Sequence, residues 1–329
     1  MFVKSRLHFL VLLFPLFPFA QKSCAGANAI SSSQPNSPKN DAAAAPVLAV
    51  YRKGISGLKK GLYDRYATWL NRTDLWAEDV EPVESWESIE GQFSQLLPWS
   101  QWVQAKAGRR LILSVGLLPG GWDRMGPKTG KEAGIAVSLE DGANGTYNEH
   151  FRKLAENLVN AKLDNSILRL GWEFNTGADN HRALHKEESF VKFWQQVITT
   201  MRAVPGATSL QFCWNPADNI AQTDARRCWP GEEYVDYIGI DVYDQSKQHN
   251  RPLAIPECGV CDRQDGHGGM DNPYFIEQMH KFIADPSNRV AFHSYFEADT
   301  SEGRHQLVPD MRSAFPGAAK RFKELFAAP

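Results

Sequence analysis

The chain has 329 residues, of which 43% are hydrophobic and 22% are charged, and its formal net charge is −2. A mildly acidic chain without a basic stripe argues against binding to nucleic acid or to an anionic membrane surface. Loss of the N-terminal segment described next would make the charge −5, because that segment contains Lys4, Arg6 and Lys22.

The first 25 residues have the three parts of a secretory signal. A basic head precedes an apolar run at 9–20, and small residues follow the run. The run is short and contains proline, so we do not expect a transmembrane segment. Cleavage after Ala25, Ala27 or Ala29 fits the small-x-small rule, and lipid modification of Cys24 is the alternative. We therefore expect an exported protein, periplasmic or extracellular.

Residues 26–46 are polar, contain proline and alanine and show no hydrophobic period, which predicts a disordered linker. The remaining segment, 47–329, has the length of one large domain. In it, strand-like apolar runs alternate with segments of helical periodicity. We predict strands at 47–52, 75–80, 110–117, 167–170, 210–216, 235–243, 252–259 and 289–297. Helices are predicted at 59–69, 86–107, 147–161, 188–204, 273–283 and 314–326.

This alternation predicts a parallel sheet, and eight strands favour a single-domain α/β fold, the (β/α)8 TIM barrel. A doubly wound open sheet is the alternative. The third strand ends at Pro119-Gly120-Gly121, and a glycine-rich loop follows to about Gly145. Loops of that length in a compact domain are usually functional or disordered.

Four cysteines lie outside the signal: Cys213, Cys228, Cys258 and Cys261. An even number in an exported protein makes one or two disulfides plausible. Zinc binding by Cys258-x-x-Cys261 is the competing interpretation, although no second close pair lies at zinc spacing.

Two carboxylates follow predicted strands that lie three apart in a barrel of eight. Glu173 follows Arg169 and Gly171 on the face of the fourth strand that we expect to point inward, and Glu257 follows Leu253 and Ile255 on the seventh. Glycoside hydrolysis needs two carboxyl groups flanking the bond. The structural alternative for Glu173 is an ion pair with Arg169.

Aromatic residues crowd the same strand ends, and flat rings suit the apolar faces of sugars. They are Trp172, Trp214, Tyr243, Tyr295 and, in the long third loop, Trp122. Core packing is the alternative for each of them. Asp236 and Asp241 are candidate pocket residues, but aspartate near a turn is more often a cap or a turn former.

These segments resemble glycoside hydrolase family 26, a family of barrels with the acid/base and nucleophile at the ends of strands four and seven. The resemblance rests on Arg169-Leu-Gly-Trp-Glu173-Phe-Asn175, on residues 234–243, on Pro252-Leu-Ala-Ile-Pro-Glu257-Cys-Gly259 and on Tyr295-Phe-Glu297. It implies Glu173 as acid/base and Glu257 as nucleophile. The substrate-binding residues expected are Arg169, Trp172, Asn175, Trp214, Tyr243, Tyr295 and Trp122.

One residue departs from the family pattern. Many β-mannanases of the family have histidine directly before the acid, where this chain has Trp172. The resemblance implies a secreted retaining endo-β-glycosidase that acts on a mannan-type polymer, β-glucan, xylan or exopolysaccharide. We expect a monomer with a polysaccharide substrate and with neither cofactor nor metal.

Two other functions remain open at the level of sequence. A non-catalytic carbohydrate-binding barrel in exopolysaccharide assembly would keep the aromatic residues without needing both carboxylates. A metal-dependent hydrolase would want histidines at strand ends, and only His293 lies on a predicted strand.

Overall fold

The computed structural model describes residues 46–121, 126–176, 180–217, 222–241, 252–263, 269–301, 303–308 and 314–328. The strands are β1 (Val47–Tyr51), β2 (Trp76–Val80), β3 (Leu111–Val115), β4 (Ile167–Leu170), β5 (Gln211–Trp214), β6 (Tyr237–Gly239), β7 (Leu253–Cys258), β8 (Asp262–Arg263), β9 (Val290–Phe296) and β10 (Gly303–Arg304). The helices are α1 (Gly54–Lys59), α2 (Leu62–Trp69), α3 (Trp86–Ile89), α4 (Phe93–Gln104), α5 (Leu139–Ala143), α6 (Asn148–Asn160), α7 (Glu187–Arg202), α8 (Pro273–Ala284) and α9 (Pro316–Phe326).

Eight of the strands close into a barrel in the order β1-β2-β3-β4-β5-β6-β7-β9. Every neighbouring pair is parallel. The predicted (β/α)8 barrel is therefore confirmed, and the open sheet is excluded. Three local features were not predicted: α5 lies within the expected long loop, two 3-10 turns follow β5, and β8 pairs with β10 in a small antiparallel ribbon.

Side chains alternate along each strand between the inside of the barrel and the helices around it. The inner apolar layer consists of Ala49, Ile112, Ile167, Cys213, Ala254 and Phe292. Two residues further on from four of these positions, the inward side chains are polar and buried: Ser114, Arg169, Asn215 and Ser294. Glu78, also buried, lies two residues after Trp76, which packs against the inner layer from β2. The barrel interior thus changes from apolar to charged toward the carboxyl ends of the strands.

The helix after β4 fixes that strand in place. Buried residues of α7, among them Phe190, Trp194 and Ile198, recur at helical spacing and face the barrel. The indole of Trp194 donates a hydrogen bond of 3.1 Å to the carbonyl of Leu170, the last residue of β4. This contact holds the strand end from which the candidate acid emerges.

The expected disulfides are absent among the described residues. No disulfide joins Cys213, Cys228, Cys258 or Cys261 in the described structure, and the first two are buried. Cys213 belongs to the inner layer of the barrel, whereas Cys228 packs in the outer core. The disulfide prediction was wrong because an even number of cysteines says nothing about their distance in the fold.

In the part of the chain described here, no helix has the length and apolar character needed to cross a membrane. The predicted signal, 1–25, and all but the last residue of the predicted linker, 26–46, lie outside the described residues.

Candidate active site

A sharp turn after β4 presents Glu173 at the mouth of the barrel. Gly171 and Glu173 both have φ of +52°. A side chain at Gly171 would place its Cβ 2.8 Å from Leu117, so glycine is required there. The backbone N–H of Glu173 donates a hydrogen bond of 2.7 Å to the carbonyl of Asn215. A left-handed residue other than glycine is strained, and such strain concentrates at functional sites.

A β-bulge turns Glu257 into the same mouth. The register of β7 on β9 pairs Ile255 with His293 and Cys258 with Tyr295, which inserts one extra residue into β7. Our sequence argument for Glu257, which followed Leu253 and Ile255 along one inward face, was wrong in this respect. Both residues pack in the outer core, and it is Ala254 that points inward. Because the extra residue reverses the alternation of side chains along β7, Glu257 points into the pocket.

A third carboxylate joins these two. Glu173, Asp241 and Glu257 each place a carboxylate oxygen within 4.8 Å of the others. Asp241 follows β6, its N–H donates to the carbonyl of Pro216 at 3.2 Å, and its side chain is 8% exposed. The sequence interpretation favoured a cap or turn role for Asp241. Asp241 lies four residues after Tyr237, which faces inward. Since side chains alternate along a strand, this even spacing identifies Asp241 as a pocket residue.

The Arg169 guanidinium lies under this cluster and is fully buried. Its Nε donates to Asn215 Oδ1 at 3.1 Å, and its Nη2 donates to both Asp241 oxygens at 3.3 Å. Its Nη1 donates to Glu78 and, at 3.1 Å, to Ser114 Oγ, and lies 3.7 Å from Glu257 Oε1. Arg169 therefore supports the site from below, through contacts with Glu78, Asp241 and Glu257.

Burial and the repulsion of neighbouring carboxylates raise the pKa of Glu257 and of Asp241. Desolvation raises the pKa of Glu257 to about 8, the charges of Asp241 and Glu78 add to the increase, and Arg169 opposes it. Glu257 nevertheless keeps 37% of its side chain accessible to solvent. Desolvation also raises the pKa of Asp241 to about 8, with Arg169 opposing and Glu173 adding to the increase.

Asp241 and Glu173 repel each other when both are ionised. Their carboxylate oxygens lie within 4.8 Å of each other, and the charge of Glu173 raises the pKa of Asp241. A proton on one of two neighbouring carboxyl groups relieves their repulsion. A protonated Asp241 would also repel Glu257 less, which favours ionisation of Glu257 beside Arg169.

The other predicted site residues divide into three groups. Trp172 is half-buried at the site and packs edge-on against His181, with ring centroids 5.5 Å apart. Tyr243 and Trp122 lie outside the described residues. Trp214, Tyr295 and Asn175 are 1%, 1% and 2% exposed. A sugar cannot reach side chains buried to that extent, so their predicted role in binding is corrected.

These three buried residues instead hold the walls of the site. The Trp214 indole donates to the carbonyl of Cys228 at 3.0 Å. The Tyr295 hydroxyl accepts from Val260 N–H and donates to the carbonyl of His305, both at 3.1 Å. Asn175 bonds both backbone groups of Ala217, at 2.6 and 2.8 Å, and so ties the turn after β4 to the end of β5.

Sequence reasoning missed an aromatic pair at the mouth. Tyr51, the last residue of β1, stacks on Phe296, the last residue of β9, with ring centroids 5.2 Å apart and planes 13° apart. Both side chains are half-buried. Burial raises the pKa of Tyr51 to about 12, and Asp79, Glu78 and Glu257 add to the increase. Alternation along β9 would have selected Phe296 as the inward residue in place of Tyr295.

Comparison with known proteins places both glutamates in one family region. The model of glycosyl hydrolase family 26 matches residues 146–294, which include Glu173, Asp241 and Glu257. This region belongs to glycosyl hydrolase family 26. The match confirms the resemblance inferred from the sequence and the classification of the chain as a glycoside hydrolase. No curated protein matches the chain.

Solved structures of family 26 proteins share the fold at low identity. The catalytic domain of an endo-β-1,4-mannanase from Bacillus sp. JAMB-750 is 12% identical, with a TM-score of 0.59 over 86% of this chain and 87% of that one. An endo-β-1,4-mannanase double mutant from Cellulomonas fimi is 13% identical, with a TM-score of 0.56 over 87% and 71%. The Bacillus subtilis mannanase man26 is 14% identical, with a TM-score of 0.53 over 84% and 83%.

Three carboxylates at this spacing are also oxygen donors of the kind that divalent cations prefer. In this family 26 site, however, Arg169 already places a positive charge against Asp241 and beside Glu257.

Proposed function

We propose that the chain is a secreted retaining endo-β-glycosidase that hydrolyses a β-linked polysaccharide. The observation that carries this proposal is the meeting of Glu173 and Glu257 at the barrel mouth, with oxygens within 4.8 Å of each other. Retaining glycosidases separate their two carboxyl groups by about 5–5.5 Å, whereas inverting enzymes need about 6.5–9.5 Å to admit a water molecule. The short separation favours direct attack by a carboxylate.

In the first step, Glu257 attacks the anomeric carbon while Glu173 gives its proton to the leaving oxygen. Glu257 must be ionised to attack, and Arg169 favours that form against the burial that raises the Glu257 pKa to about 8. Glu173 must be protonated to donate, and repulsion from the neighbouring carboxylates of Asp241 and Glu257 favours that form. The bond from the sugar to the leaving oxygen breaks as the bond to Glu257 forms.

In the second step, water releases the sugar from Glu257. Formation of the ester removes the charge of Glu257, so the cluster loses one negative charge and Glu173 can stay ionised. Glu173 then takes a proton from the incoming water, which attacks the anomeric carbon. The free carboxylate of Glu257 returns, and the product keeps the anomeric configuration of the substrate.

Two observations bear on which polymer the protein cleaves. The structural neighbours named above are mannanases, which supports a mannan-type substrate. Trp172, which replaces the histidine of many family mannanases, places a wide half-buried ring beside the acid. An indole cannot provide the two ring nitrogens of an imidazole, so we extend the candidates to β-glucan, β-1,3-xylan and exopolysaccharide.

A polymer digest tests the function. Wild type, Glu173→Ala and Glu257→Ala would be incubated with mannan, mixed-linkage glucan, β-1,3-xylan and bacterial exopolysaccharides. Glu277→Gln is the matched control, because Glu277 is a surface glutamate that pairs with Arg321 away from the site. We expect oligosaccharides from wild type and from the control only.

Failure of a folded wild type to release sugar from any polymer would contradict the proposal. Retained binding of a polymer in that case would favour the non-catalytic carbohydrate-binding barrel. Export is tested separately, by sequencing the N-terminus of the protein recovered from the periplasm or the medium. An intact Met1 on the recovered chain would contradict the signal.

A further inference from the structure

A fourth carboxylate lies beneath the reacting groups and has no role in the mechanism above. Glu78, in the middle of β2, is 1% exposed and contacts the Nη1 atom of Arg169. The same Nη1 atom lies 3.7 Å from Glu257. One cation therefore faces Glu78, Asp241 and Glu257 together, and Glu78 makes the closest of the three contacts.

We propose that Glu78 is a positioning residue that fixes the Arg169 guanidinium beneath Glu257 and limits how much of its positive charge acts on the nucleophile. The inference deepens the proposed function and rests on Glu257 being the nucleophile. Glu78 itself is too deeply buried to touch a substrate.

The planar geometry of the Arg169 guanidinium explains why the contact with Glu78 matters. Planar Arg169 can satisfy Asn215 with Nε and Asp241 with Nη2 only if its plane is fixed. Glu78 and Ser114 hold the remaining nitrogen, Nη1, from the side of β2 and β3. Without the Glu78 contact, Nη1 would keep a neutral hydroxyl as its short-range partner and could turn toward Glu257.

The electrostatic effect has a defined sign. Burial raises the pKa of Glu78, while the charge of Arg169 opposes this and favours the ionised form. An ionised Glu78 raises the pKa of Glu257. Neutral glutamine at position 78 would remove that repulsion, so Glu257 would ionise at lower pH.

Other charged and titratable groups of the described residues face the two glutamates, and a substitution at Glu78 removes none of them. Those near Glu257 are Asp241, Arg169, Glu173, Tyr51 and Cys258. Those near Glu78 are Arg169, Tyr51, Tyr63, Asp79, Cys213 and Cys258.

The test is a titration that needs no substrate. Glutamate carboxyl groups labelled with ¹³C would be followed by NMR in wild type and in Glu78→Gln, with Glu257→Gln identifying the resonance of Glu257. We expect the Glu257 midpoint to fall by about one pH unit in Glu78→Gln, the size expected for loss of a nearby charge. Glu78→Asp keeps the charge and should restore most of the midpoint.

Glu81→Gln is the matched control. Glu81 is also a buried glutamate, just beyond β2, and none of the Arg169 contacts involves it. We expect the titration midpoint of Glu257 in Glu81→Gln to match that in wild type. A midpoint unchanged in Glu78→Gln, or shifted equally by Glu81→Gln, would overturn the inference.

Kinetics on the polymer identified by the digest provide the second readout. For Glu78→Gln we expect kcat to fall between about 10-fold and 100-fold through misplacement of Arg169, with KM changed less than about twofold. The acid limb of the pH profile should move to lower pH. A loss of thermal stability with an unmoved acid limb would mean that Glu78 is only structural. If wild type hydrolyses nothing, the proposed function fails, and the titration still decides the role of Glu78.

Discussion

Replacement of Arg169 by methionine tests how the charged floor of the barrel is held together. Methionine keeps much of the side-chain length but removes the guanidinium. Glu78, which is 1% exposed, and Asp241, at 8%, would then lose their cation. Asn215 Oδ1 and Ser114 Oγ would also lose donors that now lie 3.1 Å away.

The expected loss of stability is large and depends on pH. Breaking a buried ion pair by removing one partner typically costs about 3–5 kcal/mol, because the remaining charge stays buried. Loss of Arg169 also raises the pKa of both carboxyl groups, since Arg169 now lowers them. A carboxyl whose folded-state pKa is raised contributes stability at low pH that is lost as pH rises. The destabilisation should therefore be greater at pH 8 than at pH 5.

Chemical denaturation of wild type and Arg169→Met at both pH values measures this. The control is Arg304→Met, because Arg304 pairs with Asp262 at the surface and is 59% exposed. Exposed pairs typically contribute about 0–1 kcal/mol, so the control should change little. A loss below about 1 kcal/mol for Arg169→Met, or a loss equal at the two pH values, would refute this interpretation of the barrel floor.

Three further outcomes follow from the structure. Burial raises the pKa of Glu81, which is 4% exposed, to about 8. As pH rises from about 4.5 to 8, the free energy of unfolding of wild type should fall by up to about 5 kcal/mol, because the unfolded state ionises this carboxyl first. Glu81→Gln should not show this fall. Parallel pH dependence of stability in the two proteins would contradict this. Tyr295→Phe loses two hydrogen bonds and should lower the free energy of unfolding by about 1–3 kcal/mol. KM should change by less than about twofold, whereas a larger rise in KM would show that the hydroxyl contacts the sugar. Activity should survive exhaustive treatment with a metal chelator. If the chelator abolished activity and one added divalent cation restored it, the carboxylate cluster would have a metal role.

The sequence was sufficient to predict the barrel because its signals are local. Apolar runs and helical periods predicted all eight barrel strands, and their positions also suggested the two glutamates at the ends of β4 and β7. The reason given for Glu257 was nevertheless wrong. A β-bulge depends on how β7 meets β9, and no pattern within one strand reveals it.

The substrate-facing residues were harder to predict, because burial is a property of the whole fold. Trp214 and Tyr295 lie near the ends of apolar strands, where a sugar platform would be expected, yet both side chains pack in the outer core. Phe296 and Tyr51 reach the mouth because they lie on the inward face of their strands. The pocket role of Asp241 was missed because its proximity to Glu173 depends on elements far apart in the chain.

Covalent trapping tests the central claim most directly. Activated 2-deoxy-2-fluoro glycosides of mannose, glucose and xylose would be incubated with the enzyme, and the labelled peptide identified by mass spectrometry. ¹H NMR of a digest would record the first anomer released. We expect the label on Glu257 and a β-configured product. A label on Glu173 or Asp241, or initial release of the α anomer, would contradict the assignment of Glu257 as nucleophile.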